Sequence, residues 1–209
     1  MSRLIGVFGG TFDPVHNGHT QTIINLSELL PFDEIKVIPN GVPPHRASVG
    51  STNDRLDMVK MAFNGIEKVS IDTREINRLG PSYAITTAKE IIEECKEDKI
   101  TWIMGSDAFA GIDSWYHWEE FIDLINIVIM MRPDSDILPN SEAEKLIHTR
   151  MVEDYRLLKE RSGQIMILKM SPIHISSTLV RTNILSGDDV RDLISSGVEE
   201  YIDKNKLYK

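Results

Sequence analysis

The chain has 209 residues, 41% of them hydrophobic and 26% charged, with a formal net charge of −9. That length holds one domain with a sizeable core, and no apolar run is long enough to span a bilayer. So acidic a chain is a poor ligand for nucleic acid, whose phosphates are neutralised by Lys and Arg; a small anionic nucleotide stays admissible, because a few residues and a divalent cation can hold it.

In chain order, Leu4 to Phe8 is a strand-like run, entered without the pattern of a signal peptide. A Gly-rich turn follows, then an apolar-periodic helix from about Gly18 to Leu30. Ile35 to Ile38 is a second strand, ended by Pro39, and residues 40–53 form a Pro-containing loop. A helix near Asp54 to Phe63 carries Leu56, Val59 and Phe63 on its inner face, with Ala62 beside them. Val69 to Ile71 is a short third strand, Ile85 to Cys95 a helix, and Ile100 to Met104 a fourth strand ending in Gly105. Asn126 to Met131 is a strongly apolar fifth strand. A polar stretch, 134–161, has a helix from Ser141 onward; Ile165 to Met170 is a sixth strand. Ser176 to Leu185 is a helix stopped by Gly187, and a helical pair covers Val190 to Lys204.

Alternating strands and helices predict an α/β fold, a Rossmann-like doubly wound parallel sheet. The expectation is a single domain over 1–209, with a small helical part at about 176–209. The lone cysteine, Cys95, can form no intrachain disulfide, which fits a reducing, cytoplasmic setting. In open sheets of this kind ligands bind outside the carboxyl ends of the strands. The chemically loaded loops follow strands.

The first such loop is Gly9-Gly10-Thr11-Phe12-Asp13-Pro14-Val15-His16-Asn17-Gly18-His19. Two glycines let backbone N–H groups approach a ligand, and His16 and His19 lie three apart at the start of a helix, whose positive end suits a polyphosphate. Neither a dinucleotide fingerprint nor a Walker loop is present. Other readings are a plain tight turn, histidines serving as helix caps, or a zinc site with Asp13; the last is opposed by the positive helix end and the lack of further ligands. The second loop is Ile175-Ser176-Ser177-Thr178-Leu179-Val180-Arg181. One hydroxyl would suffice as a cap, whereas three hydroxyls with Arg181 one turn after Ser177 make a second phosphate-binding helix end.

Together the two loops resemble the nucleotidyltransferases with His-x-Gly-His and Ile-Ser-Ser-Thr-x-x-Arg signatures. The intervening segments narrow the resemblance to the bacterial nicotinate mononucleotide adenylyltransferases. These are Pro39-Asn40, Pro43-Pro44-His45-Arg46, Pro81-Ser82-Tyr83, Gly105-Ser106-Asp107 with Trp115, and the later Val198-Glu199-Glu200-Tyr201-Ile202.

The resemblance implies transfer of AMP from ATP to nicotinate mononucleotide, with Mg carried by ATP rather than by protein side chains. It assigns catalysis to His16, His19 and Arg181. ATP would be bound by Gly9, Gly10, Thr11, Phe12, Gly18, Arg46, Gly105, Asp107, Ile175, Ser176, Ser177 and Thr178. The acceptor would meet Asn40, His45, Tyr83, Ala84 and Trp115, the aromatic faces suiting a pyridinium. Core packing is the competing reading of Trp115. His45 and His117 carry weaker signals, and His148 and His174 are assigned to surface or structure.

The sequence departs from the family twice. Ala84 stands where Thr is usual, next to the acceptor's carboxylate, leaving either a backbone N–H or a hydroxyl as the family's contact there. Arg132-Pro133-Asp134 replaces Arg-Pro-Gly. Alternative readings are a related transferase acting on nicotinamide mononucleotide, phosphopantetheine or a sugar or alcohol phosphate, and a non-catalytic nucleotide sensor. A tRNA synthetase is opposed by the short, acidic chain.

Overall fold

The computed structural model describes residues 2–43, 48–131, 137–171 and 173–209. The strands are β1 (Leu4–Gly10), β2 (Glu34–Pro39), β3 (Val69–Ile71), β4 (Lys99–Gly105), β5 (Asn126–Met131) and β6 (Ile165–Lys169). The helices are α1 (Asn17–Leu29), α2 (Thr52–Phe63), α3 (Arg74–Asn77), α4 (Ala84–Glu94), α5 (Ser106–Ala110), α6 (Trp118–Leu124), α7 (Glu142–Arg150), α8 (Arg156–Glu160), α9 (Ser177–Ser186) and α10 (Ser196–Asn205). The six strands form one sheet in the order β3-β2-β1-β4-β5-β6. That is the doubly wound order, reversing direction of growth between β1 and β4. The expected α/β architecture is therefore present.

Parallel pairing sets Leu4 against Lys99 and Val7 against Trp102, Thr101 against Asn126, and Ile127 against Ile165. Central parallel strands are covered on both faces and read as continuous apolar runs. Accordingly Leu4, Ile5, Val7, Ile103, Ile127, Val128 and Ile129 are all buried.

The chain clusters into two compact units interleaved in sequence: 1–9, 32–37 and 82–172 in one, and 10–31, 38–81 and 173–209 in the other. The first unit holds β4 to β6 and helices α4 to α8. Its core includes Phe32, Ile35, Trp102, Phe109 and Phe121, with Trp102 edge-on to Phe121 at 5.2 Å. At the start of β5, buried Asn126 donates to the Leu158 carbonyl (2.8 Å) and accepts from the Gln164 backbone N–H (2.9 Å), so its amide replaces hydrogen bonds that a loop would otherwise lose.

In the second unit α10 packs against α2, and the Tyr201 hydroxyl donates to Asp54 (3.0 Å). The inner face of α2 differs from the expected one. Arg55, Met58, Val59 and Phe63 are buried, while Leu56 and Ala62 are only partly covered. The face is turned because the Arg55 guanidinium finds three acceptors inside the unit, described below. The expected pair of helices over 190–204 is one helix, α10, preceded by a turn closed by Leu193 and Ile194 N–H groups on the Val190 carbonyl. The short helices α3, α5 and α6 fall where the sequence pattern predicts none. The Arg132-Pro133-Asp134 departure lies outside the described residues.

Asn126→Ala should destabilise the protein by about 2–3 kcal/mol, because it strands a buried carbonyl and N–H while opening a small cavity. A lowered urea midpoint at unchanged slope would show it; an unchanged midpoint would mean the two groups find other partners.

Candidate functional site

All the histidine, hydroxyl and arginine residues of the two signature loops that the structure describes belong to the second unit. β1 ends in Gly9-Gly10. A Cβ on Gly10 would come within 3.0–3.2 Å of the Phe12 ring, so only glycine lets the chain turn there with Phe12 tucked beneath. Phe12 itself has a left-handed backbone (φ 50°) and is buried, a conformation that costs on the order of 1 kcal/mol and persists only where packing fixes it. Its ring stands edge-on to His19 (5.0 Å) and to Phe63 (6.3 Å). The Phe12 side chain thus forms the wall behind His19, and any ligand contact it makes is through backbone. The Asp13–Pro14 peptide bond is cis.

His16 caps α1, and its ring stacks on that of His19 at 3.7 Å and 25°. The His19 N–H donates to the His16 carbonyl (2.8 Å), and His19 Nδ1 accepts from the His16 N–H (3.1 Å). A neutral imidazole with Nδ1 as acceptor carries its proton on Nε2, so His19 presents an Nε2–H donor. A Cβ on Gly18 would lie 2.9 Å from His16 Nδ1. Glycine between the two histidines is therefore what lets the His16 ring lie over the first turn. His16 is buried, and its Nδ1 has no hydrogen-bond partner among the described residues. Burial lowers its pKa to about 4. Burial, then the neighbouring His16, holds His19 well below the usual histidine value. Both rings are neutral at pH 7.

α9 is bound directly to the first loop. Ser177 Oγ donates to the Pro14 carbonyl (2.9 Å), and Arg181 Nη1 donates to the Asp13 carbonyl (2.5 Å). Arg181 Nη2 reaches Thr178 Oγ1 (3.3 Å), and Ser176 caps α9 through the Leu179 N–H (3.1 Å). These two bonds use part of the Arg181 fork; a guanidinium has five N–H donors in all. Ile175 is half-buried just before the helix.

The Asp13 carboxylate faces the other way. Oδ2 accepts from the Val49 N–H (2.6 Å), and Oδ1 from the Gly50 N–H (2.9 Å) and the Tyr208 hydroxyl (2.8 Å). Both oxygens are engaged, so Asp13 is an anchor for the loop rather than a free base or ligand. Beneath it Arg55, fully buried, donates to the carbonyls of Thr11 (2.7 Å) and Gly41 (3.2 Å) and to Thr52 Oγ1 (3.4 Å). Burial lowers its pKa, while Asp13 and Tyr208 oppose that shift. The Asn40 N–H closes the loop on the Gly10 carbonyl (2.9 Å). Arg55 and Tyr208 escape the sequence reading: an arginine on α2 looks like part of a solvated face, and a tyrosine 195 residues from its partner carries no local signal.

In the first unit, Gly105 ends β4 and opens α5; a Cβ there would collide with the Asp107 carboxylate, so glycine gives that side chain its place over the strand end. Tyr83 caps α4 and stacks on Tyr116 at 4.5 Å and 28°, and Tyr116 meets His117 edge-on at 4.1 Å. Trp115 is half-buried and tilts against Phe121 at 5.7 Å. Tyr116, absent from the sequence-derived residues, is thus the partner of Tyr83. Ala84 is the first residue of α4, where a helix leaves its N–H without an intrahelical acceptor. His45 and Arg46 lie outside the described residues. His148 is exposed on α7, and His174 is exposed too.

The donors of the second unit suit an anion. Two neutral imidazoles, a guanidinium, hydroxyls and loop N–H groups belong to the two loops that Ser177 and Arg181 tie together, and the Asp13 carboxylate is taken up by its own donors. Among the described residues no group of three His, Cys, Asp or Glu side chains could hold a metal ion, and no helix is long and apolar enough to cross a membrane.

Comparison with known proteins agrees with these features. Residues 7–183 match the cytidylyltransferase-like family. A Pseudomonas aeruginosa (strain UCBPP-PA14) protein named "Probable nicotinate-nucleotide adenylyltransferase" is 38% identical over 211 residues, covering 100% of this chain and 99% of its own. A protein of the same name from Pseudomonas putida (strain W619) is 36% identical over 209 residues, covering 99% and 95%. Among solved structures, the Plasmodium falciparum nicotinic acid mononucleotide adenylyltransferase complexed with NaAD has a TM-score of 0.75. It is 20% identical and covers 99% of this chain and 97% of that one, a likeness of fold.

The histidine pKa values set a pH dependence of stability. Between about pH 4 and 6.5 the unfolded chain binds protons at His16 that the native state refuses. This contribution is full above the unfolded value and is lost as pH falls toward 4. The urea midpoint should therefore drop from about pH 7.5 to about pH 5, and His16→Asn should flatten that drop. An equal drop in the variant would assign it to other groups.

Proposed function

We infer that this chain, which belongs to the cytidylyltransferase-like family and within it to the nicotinate-nucleotide adenylyltransferases, transfers the AMP part of ATP to nicotinate mononucleotide, giving deamido-NAD and pyrophosphate. The observation that carries the reading is the stacked His16–His19 pair with Ser177 and Arg181 bonded to the carbonyls of the same loop. That is a preorganised set of donors for a polyphosphate in a chain whose relatives of matching length bear this name.

An oxygen of the acceptor's 5′-phosphate attacks the α-phosphorus of ATP. The bond from that phosphorus to the bridging oxygen breaks, and pyrophosphate leaves with the electron pair. The attacking oxygen is already ionised, so the protein need not remove a proton. Its work is alignment and stabilisation of charge on the phosphoryl oxygens. His19, with Nε2–H as donor, and His16 hold the phosphates through the transition state. Neutral rings donate without first having to be charged in a buried place. The N–H groups of Gly9, Gly10 and Thr11 support them, and Gly18 makes room. Ser177, Thr178 and Arg181 hold the departing pyrophosphate, with Arg46 as a further clamp.

Magnesium is part of the MgATP substrate, neutralising phosphate charge. It would be carried by ATP rather than by protein side chains. Gly105 and Asp107 serve the ribose and adenine. The acceptor's ring would meet Trp115 and Tyr83; Asn40 and His45 are assigned to the acceptor by resemblance alone. The Ala84 N–H can take the acceptor's carboxylate without the hydroxyl that threonine would offer. A reducing cytoplasmic setting suits the free thiol of Cys95.

Pyrophosphate release with MgATP should be strong with nicotinate mononucleotide and weak with its nicotinamide counterpart or phosphopantetheine. Equal use of both pyridine nucleotides would mean that Ala84 relaxes the discrimination, and activity with phosphopantetheine alone would overturn the assignment. His19→Ala should lower kcat by about a hundredfold; unaltered turnover would remove it from the reaction. Trp115→Ala should raise the KM of the acceptor while that of ATP holds, and the reverse pattern would move this ring to the ATP side.

A further inference from the structure

The Asp13 carboxylate is buried in the loop whose carbonyls, its own and that of Pro14, accept from the arginine and the serine of α9. Its hydrogen bonds come from two segments of the chain: the Val49 and Gly50 N–H groups, and the Tyr208 hydroxyl beyond α10. The three are not equivalent. Val49 and Gly50 lie in one loop, so they fix the carboxylate relative to that loop alone. Tyr208 fixes it relative to the segment that follows α10. A Cβ on Gly50 would stand 2.7 Å from the Tyr208 oxygen and 2.9 Å from Asp13 Oδ1. The sequence thus keeps position 50 empty where the tyrosine and aspartate meet. Burial and the adjacent carboxylate push the Tyr208 pKa up, which keeps the hydroxyl a donor throughout the working pH range.

We propose that Tyr208 is a positioning residue for AMP transfer: through the Asp13 carboxylate it sets the Asp13 carbonyl to which Arg181 is bonded, and so sets the guanidinium that receives the leaving pyrophosphate. It touches no substrate. Arg181 has its aim fixed at one end by Thr178 on its own helix and at the other by the Asp13 carbonyl. If the carboxylate is released on the Tyr208 side, the Asp13 peptide gains freedom and the guanidinium fork loses its alignment in the transition state. Ground-state binding of either substrate changes little.

This proposal rests on the adenylyl-transfer reading, so the wild-type enzyme is assayed first with MgATP and nicotinate mononucleotide. No pyrophosphate from the wild type would defeat that reading and this one with it. With an active wild type, Tyr208→Phe, which removes one oxygen and keeps the ring, should lower kcat about tenfold, the loss expected for one hydrogen bond to a charged group, with both KM values within about twofold. In an Arg181→Ala background the same change should cost nothing further, because the residue it positions is gone. Tyr201→Phe removes another tyrosine–aspartate hydrogen bond of the same unit and should leave kcat of the folded enzyme unchanged. Full kcat for folded Tyr208→Phe would overturn the proposal. So would a tenfold loss that persists in the Arg181→Ala background, or an equal loss in Tyr201→Phe. If Tyr208→Phe does not fold, Gly50→Ala crowds the same oxygen while keeping the tyrosine, and is judged by the same outcomes.

Discussion

One buried carboxylate organises the second unit. Asp13 accepts from Val49, Gly50 and Tyr208 with its side chain while its carbonyl accepts from Arg181. Taking an ionised carboxylate out of water is expensive unless donors surround it. Three donors at 2.6–2.9 Å meet that demand. They come from a loop and from a segment far along the chain, so the same bonds that make the charge tolerable draw remote segments onto the glycine-rich turn. The buried Arg55 repeats the logic with opposite sign, its guanidinium gripping the Thr11 carbonyl of that turn and the Gly41 carbonyl after β2. Polar groups in the interior are thus the reason the loop has one shape.

That shape serves anion chemistry by presenting donors that are uncharged at rest. An imidazolium pair stacked at 3.7 Å would repel itself and, if buried, would carry a large desolvation cost. Neutral rings avoid both. The positive charge at the loop lies on Arg181, whose guanidinium is bonded to the Asp13 carbonyl and the Thr178 hydroxyl and, among the described residues, to no carboxylate. In the proposed reaction an incoming phosphate would supply a negative partner.

The sequence makes some of this architecture readable and hides the rest for physical reasons. β1, β4 and β5 are legible because strands covered on both faces must be apolar throughout. The two signature loops are legible because glycine, histidine and hydroxyl residues cluster there beyond what turns or caps require. Helices of four to seven residues, α3, α5 and α6, have too few turns to show a period. Arg55 misleads because its charge argues for solvent, while its acceptors are backbone carbonyls that no sequence pattern displays. Trp115 draws attention through the family resemblance, yet the ring stacked on Tyr83 is Tyr116. For Arg55 and Tyr116 the missing information is a contact between residues distant in sequence.

The bond between Tyr208 and Asp13 spans 195 residues. Loop-closure entropy rises with the length of chain enclosed, and contacts of high sequence separation slow folding. A chain that ties its glycine-rich turn to a segment so far along delays completion of that turn until synthesis has passed nearly all the residues between them. Until Tyr208 is in place, Asp13 has only the Val49 and Gly50 N–H groups as donors. The turn can reach its full set of bonds only after the last strand of the sheet, which ends at Lys169, has been made.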